Sequence, residues 1–227
     1  MKFKFLGHSC FLIETAQKKL IVDPFITPNE LAKDIDVDSI KVDYILLTHG
    51  HEDHVADAEK IAKNNGAKVI SNYEIVNWYG EKNIEGHPMN HGGKWNFDFG
   101  ELKYVNAIHS SVLPDGSYGG NPGGFVLKSD GKTVYIAGDT ALHMDMKLLP
   151  KTSGNIDLAI LPMGDNFTMG VEDALLAADF IECDQIVACH FDTFGFIKLD
   201  NKKSVVNRFK EAGKELTIPS VGDEITI

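Results

Sequence analysis

Arginine is almost missing from this chain: Arg208 is the only one among 22 basic residues. Bidentate guanidinium clamps on phosphate or carboxylate are therefore scarce. No basic tract compensates for this, and against 33 acidic residues the formal charge is −11. Such a balance disfavours non-specific binding to nucleic acid or to an anionic membrane. No stretch approaches the roughly 20 apolar residues of a membrane span. Lys2–Glu14 also lacks the apolar region and small-residue cleavage site of a signal peptide. The three cysteines, Cys10, Cys183 and Cys189, form no close pair and no CxxC. An odd, sparse set fits small buried hydrophobes in a reducing cytosol, so a cytoplasmic protein is expected. Cys10 and Cys189 each lie near a histidine of interest, which keeps a site role open for them.

At 227 residues the chain is long enough to bury a substantial core as one α/β domain. Its densest chemistry is His49-Gly50-His51-Glu52-Asp53-His54, directly after the apolar run Tyr44–Leu47, which reads as a buried strand. His49 and His51 can converge on one ion, while Asp53 and His54 open the following helix and can face a second. Nitrogen donors with a hard oxygen suit zinc, and manganese, iron, cobalt or nickel are chemically compatible. The plain alternative is a polar loop or adventitious capture of metal, as by an expression tag. Tags are terminal and repetitive, whereas this run is internal, mixed with acids and bracketed by a strand and a helix.

Residues 2–6, 10–14 and 19–22 read as an antiparallel meander. His8 in its first turn is either a turn histidine or a residue leaning over the site. Asp23-Pro24-Phe25 ends the third strand, and the polar segment to Ser39 reads as a surface connection. Val55, Ala58, Ile61 and Ala62 share a helical face that Gly66 stops. A strand over 68–71 and a short helix over 73–79 then complete a βαβ-type unit, with the histidine cluster at a strand's C-terminal end, where α/β folds place ligands. Residues 86–93, with His87 and His91, read as an exposed loop. Strands are expected over 95–99, 101–108, 124–128, 133–137, 156–161, 185–189 and 224–227. Helices are expected over 171–181, capped at Thr168 or the turn before it, and over 205–212, capped by Ser204. Polar residues recur at strand ends, at His49, His109, Asp139 and His190. Asp139 alone reads equally as a turn former or a helix cap.

The order His49-x-His51-x-Asp53-His54, His109, Asp139 in Gly-Asp-Thr, then His190 resembles the metallo-β-lactamase superfamily over essentially the whole chain. The resemblance implies a four-layer αβ/βα sandwich of two mixed sheets with helices outside, and a dinuclear metal site at one sheet edge. It implies that His49, His51 and His109 hold one ion, that Asp53, His54 and His190 hold the other, and that Asp139 bridges them. Gly7-His8-Ser9 and Gly164–Gly170 are most similar to a branch of metal-dependent hydrolases related to the L-ascorbate-6-phosphate lactonases. Two ions about 3.5 to 4 Å apart lower the pKa of a bridging water from about 15.7 to about 7. The resulting hydroxide would attack a small ester, lactone or related substrate, with Asp53 orienting it or moving its proton. His8, Asp165 and Asn166 are the further candidates for supporting the site or touching substrate, against the plain readings of a turn histidine and a helix-capping pair.

Three rival readings exist. A diiron electron-transfer member of the superfamily places Glu where this chain has His51. A phosphodiesterase or nuclease would need phosphate-binding cations, for which Lys94 or Lys103 are the candidates, and a nuclease a basic tract besides. A non-catalytic metal-binding protein would be expected to have lost a ligand, and all seven positions are filled. The expected partner is a small-molecule substrate rather than nucleic acid or membrane, with self-association left open.

Overall fold

The computed structural model describes residues 1–227. The first meander forms as β1 (Lys2–Gly7), β2 (Cys10–Glu14) and β3 (Lys19–Val22). The chain then runs parallel through β4 (Tyr44–Leu46), β5 (Lys68–Asn72) and β6 (Gly86–Met89). The C-terminal β14 (Glu224–Thr226) pairs antiparallel with β1, giving a seven-stranded sheet in the order β14-β1-β2-β3-β4-β5-β6.

The second sheet repeats the scheme. An antiparallel run of β7 (Lys94–Phe97), β8 (Gly100–Asn106), β9 (Gly123–Ser129) and β10 (Lys132–Ile136) leads into parallel β11 (Leu158–Pro162), β12 (Gln185–Cys189) and β13 (Glu215–Thr217).

Both faces of the central strands are buried, so their sequences read as continuous apolar runs. Leu20, Val22, Leu46 and Ile70 face the layer between the sheets, with Phe3, Phe11, Leu102 and Phe125. Their neighbours Ile21, Ile45 and Val69 face the other way, against α2 (Ala58–Asn65) and α3 (Tyr73–Gly80). On the second sheet, the short α4 (Leu149–Ser153) buries Leu149, α5 (Val171–Phe180) buries Ala174, Ala177 and Ala178, and α6 (Lys202–Glu211) buries Phe209. The result is the helix–sheet–sheet–helix sandwich expected. No helix is long and apolar enough to cross a membrane.

Several local expectations need correction. Gly86–Met89 is a strand, because Pro88 lies on an outermost strand where a missing N–H breaks no inner ladder. His87 packs against Trp95 and Phe97, and His91 Nε2 lies 2.8 Å from the Pro122 carbonyl, so both are half-buried. The segment before Ser39 is no bare surface connection: it forms two 3₁₀ turns, Glu30–Ala32 and Val37–Ser39, that bury Ala32 and Val37. The last helix is capped by Asn201, in a left-handed conformation (φ 47°), whose side chain accepts from Ser204 N–H. Gly170, not Thr168, precedes α5, and it offers no side-chain cap.

Candidate metal centre

Pairing directions place the C-terminal ends of β1, β3, β4, β8, β10, β11 and β12 at one edge of the sandwich. The loops leaving those ends carry His8, Asp23, His49, His109, Asp139, Gly164 and His190. Asp53 and His54 enter from α1 (Glu52–Val55), one turn beyond His49.

The two sheets are tied together at this edge. The Tyr104 hydroxyl donates to Thr48 O at 2.8 Å, and Gly123 N–H donates to the same oxygen at 3.0 Å. Gly138 (φ 66°) runs so close that a Cβ there would lie 2.8 Å from both Gly123 O and Thr48 Cβ. Only glycine lets β10 deliver Asp139 beside His54.

Asp139 Oδ2 lies 2.9 Å from His190 Nε2, 3.3 Å from His54 Nε2 and 3.6 Å from His109 Nε2. His49, His51 and His109 form one converging trio of donors. A second group consists of His8, Asp53, His54 and His190. All seven residues that the resemblance names are thus drawn into one cluster, with His49, His54, Asp139 and His190 buried and His51, Asp53 and His109 half-buried. Asp139 Oδ1 is buried without a hydrogen-bond partner, and His54 Nε2 has no neighbour to bond beyond Asp139 Oδ2 at 3.3 Å. Unpartnered polar atoms are costly inside a protein, and a cation between them would satisfy both. The donor set, imidazole nitrogens with carboxylate oxygens, fits a divalent metal.

His8 does both things the sequence left open. It adopts a left-handed turn (φ 56°), and its Nε2 lies 3.0 Å from Asp53 Oδ2 while Nδ1 lies 2.9 Å from Thr193 Oγ1. Its carbonyl accepts from His190 N–H at 2.8 Å. Asp165 and Asn166 lie at the surface in a turn, and neither lines the cleft over the cluster. Phe167, the next residue, does.

Sequence reasoning passed over Asp23. Its Oδ2 lies 2.8 Å from His54 Nδ1 and accepts the Thr48 hydroxyl at 2.7 Å, while Oδ1 accepts Thr48 N–H at 2.8 Å. Thr48 Oγ1 is also 3.0 Å from His49 Nδ1. One buried carboxylate therefore fixes two imidazoles with their Nε2 atoms turned to the cluster, an arrangement that orients metal-binding histidines. Asp23 obeys the strand-end rule that exposed the other ligands. Replacing Asp23 by Ala is expected to weaken metal affinity about 10- to 100-fold. Competitive titration with a chromophoric chelator measures this, and unchanged affinity would exclude the role.

The electrostatics follow from burial and pairing. Burial pushes His49 well below the usual histidine range and lowers His51 and His109, so these three are neutral donors. Burial also takes His8 down to about 4, against the pull of its bond to Asp53. His54 is the exception. Burial opposes its charge, but Asp139 and then Asp23 outweigh it and hold His54 well above its ordinary value. The two carboxylates act on opposite nitrogens of the imidazole, Asp139 at Nε2 and Asp23 at Nδ1, and burial pushes the Asp23 carboxyl upward. For Asp139 itself, burial is outweighed by His190 and His54, which hold it well below the carboxylate range. Cys10 and Cys189 are buried thiols that burial pushes up, so they are inert packing groups.

This fold with this clustered donor set defines a metallohydrolase of the metallo-β-lactamase type. A family profile described as "Beta-lactamase superfamily domain" matches residues 2–190. A UPF0173 metal-dependent hydrolase of Christiangramia forsetii is 55% identical over 228 residues, covering 100% of both chains. One from Flavobacterium johnsoniae is 56% identical over 227 residues, also covering 100% of each. Among solved structures, the metallo hydrolase Igni18 of Ignicoccus hospitalis is 32% identical, with a TM-score of 0.89 over 99% of this chain and 97% of that one. The chain belongs to the β-lactamase superfamily and, within it, to the UPF0173 metal-dependent hydrolases.

Proposed function

We propose that this metal-dependent hydrolase cleaves small esters or lactones at two divalent ions. In this reading His49, His51 and His109 would hold one ion, Asp53, His54 and His190 would hold the other, and Asp139 would serve both. Zinc is the first choice, and manganese, nickel, cobalt and iron suit the same donors. The observation that carries the proposal is the position of Asp139, with one oxygen facing three imidazole nitrogens and the other left without a partner. Ions bound here supply an activated water and a positive charge against the developing oxyanion.

The chain's own residues do the rest. Asp53 borders the cleft, and its carboxylate is held by His8, itself fixed by Thr193. The bond from His8 and the charge of His54 outweigh burial and keep Asp53 ionised, an acceptor that can orient the nucleophile. The balance is water plus ester giving acid plus alcohol, or one hydroxy acid from a lactone. Three buried free thiols support placement in the cytoplasm.

Assays of the protein loaded with zinc, manganese or iron against lactones, esters, thioesters and phosphodiesters test this. Chelator-sensitive turnover of an ester or lactone is expected. Turnover that ignores chelator, or that is confined to phosphodiesters, would refute it.

A further inference from the structure

Building on that ester-hydrolase reading, we infer that the site selects substrates carrying a neutral, apolar ring or branched alkyl group, which Phe167 and Phe194 receive. The cleft over the cluster has a volume of about 290 Å³. A cavity of about 150 Å³ already accepts benzene, so the space fits one ring plus the reacting ester. Beyond the proposed ligands, its lining consists of Ser110, Phe167 and Phe194. No lysine, arginine or amide side chain enters it.

Both phenyl groups are held by built loops. Phe194 packs edge-on to His8, with ring centroids 5.4 Å apart, and lies 6.1 Å from Phe25. Its loop is closed by Asp192, whose N–H donates to Ile197 O at 2.7 Å and whose Oδ1 accepts Leu199 N–H at 2.9 Å. Phe167 stands at the tip of a turn in which two successive residues, Asp165 (φ 60°) and Asn166 (φ 55°), take left-handed conformations. Asp165 N–H donates to Met169 O at 3.1 Å, and Met169 N–H donates to Thr140 O at 3.0 Å. At the base of the turn Gly164 is pressed under strand β12, where a Cβ would meet His190 O at 2.1 Å. The strained, pinned turn carries a phenyl ring that is 52% exposed and has no aromatic partner. Strain of this kind is characteristic of ligand-contacting segments, and an exposed ring beside a polar floor is a surface that a ligand can cover.

Charge points the same way. Arg208 is paired with Glu172, and Lys94 with Glu101 at 2.7 Å; neither lines the cleft. Lys103 is absent from the lining as well. Lys202 borders a neighbouring cleft behind His8, where Asp192 neutralises it at 2.7 Å. An anionic group on the substrate's distal end would meet two phenyl rings on a chain of net charge −11.

The test compares benzyl acetate and methyl phenylacetate with methyl acetate, and each aryl ester with its para-carboxylated analogue. The metal-loaded protein is expected to favour the neutral aryl esters. In Phe167→Ala the ratio of kcat/KM for aryl over methyl ester should fall roughly 10- to 50-fold, the scale of losing one phenyl contact. A second readout needs no turnover: saturation-transfer NMR with N-benzylacetamide, expected to give a signal that Phe167→Ala weakens and 4-(acetamidomethyl)benzoate does not reproduce. Binding of this kind without any ester cleavage would support the apolar subsite while overturning the esterase reading. Ester cleavage with no aryl preference, a preference for the carboxylated compounds, or an unchanged ratio in Phe167→Ala would overturn the subsite and leave the esterase reading standing.

Discussion

Asp139→Asn is expected to lower activity about 10³-fold or more while keeping the side chain's shape. Its Oδ2 faces the Nε2 atoms of His54, His109 and His190 within 3.6 Å, so the change removes the one negative charge common to both halves of the site. Losing several kcal/mol of metal-derived charge stabilisation corresponds to a factor of this size. The metal-free protein should suffer too. His54 is held charged by Asp139 and Asp23, and breaking a buried ion pair from one side costs about 3 kcal/mol. For a chain of this length that is about 6–12 °C in Tm. Metal retained at the wild-type level, with activity within tenfold, would show that Asp139 is an ordinary turn residue after β10.

Removing the metal should produce the other large effect. An ion present at about 1,000 times its Kd adds about 4 kcal/mol to folding stability, or about 8–16 °C in Tm for this size of domain. The gap should depend on pH, and His54 sets the sign. Its folded value is raised above 6.5, chiefly by Asp139 and Asp23. In the metal-free protein its contribution to stability is therefore fully present below about 6.5 and is lost as the pH rises through the folded value. A bound ion needs the neutral imidazole, so metal binding expels that proton and weakens on acidification. Both effects widen the chelator-induced drop in Tm as the pH rises above about 6.5. Calorimetry with and without chelator measures it. Equal Tm values in the two conditions would contradict a metal-stabilised fold, and a gap that narrows with rising pH would contradict the state assigned to His54.

The features legible in the sequence were those generated by strands. A buried parallel strand must be apolar until it leaves the sheet, so the first polar residue after it stands out, as His49, His109, Asp139 and His190 do. Asp23 has the same signal, but as one carboxylate before Pro24 it reads as a plain strand end, and its worth appears only when β3 and β4 lie side by side. The outermost strands were harder. Gly86-His87-Pro88 carries loop residues that only an edge position tolerates, and Glu215–Thr217 is too short to show a period. Asn201 and Ser204 are both good cap residues at the start of α6, and only the backbone course shows that Asn201 is the one used. Phe167 and Phe194 come from irregular loops, whose course is set by pinning contacts such as Gly164 under His190 rather than by any repeat along the chain. In Gly164–Gly170 the polar pair Asp165 and Asn166 draws attention, whereas the residue that the turn extends over the cleft is the phenylalanine that follows.

The proposed centre draws seven residues from both sheets, at one edge of the sandwich, around two ions. Elemental analysis of protein equilibrated with zinc and freed of excess, alongside His49→Ala, tests it most directly. About two equivalents per chain are expected for the wild type, with the trio's ion lost in the variant. Fewer than about one equivalent in the wild type, with His49→Ala unchanged, would contradict the dinuclear centre.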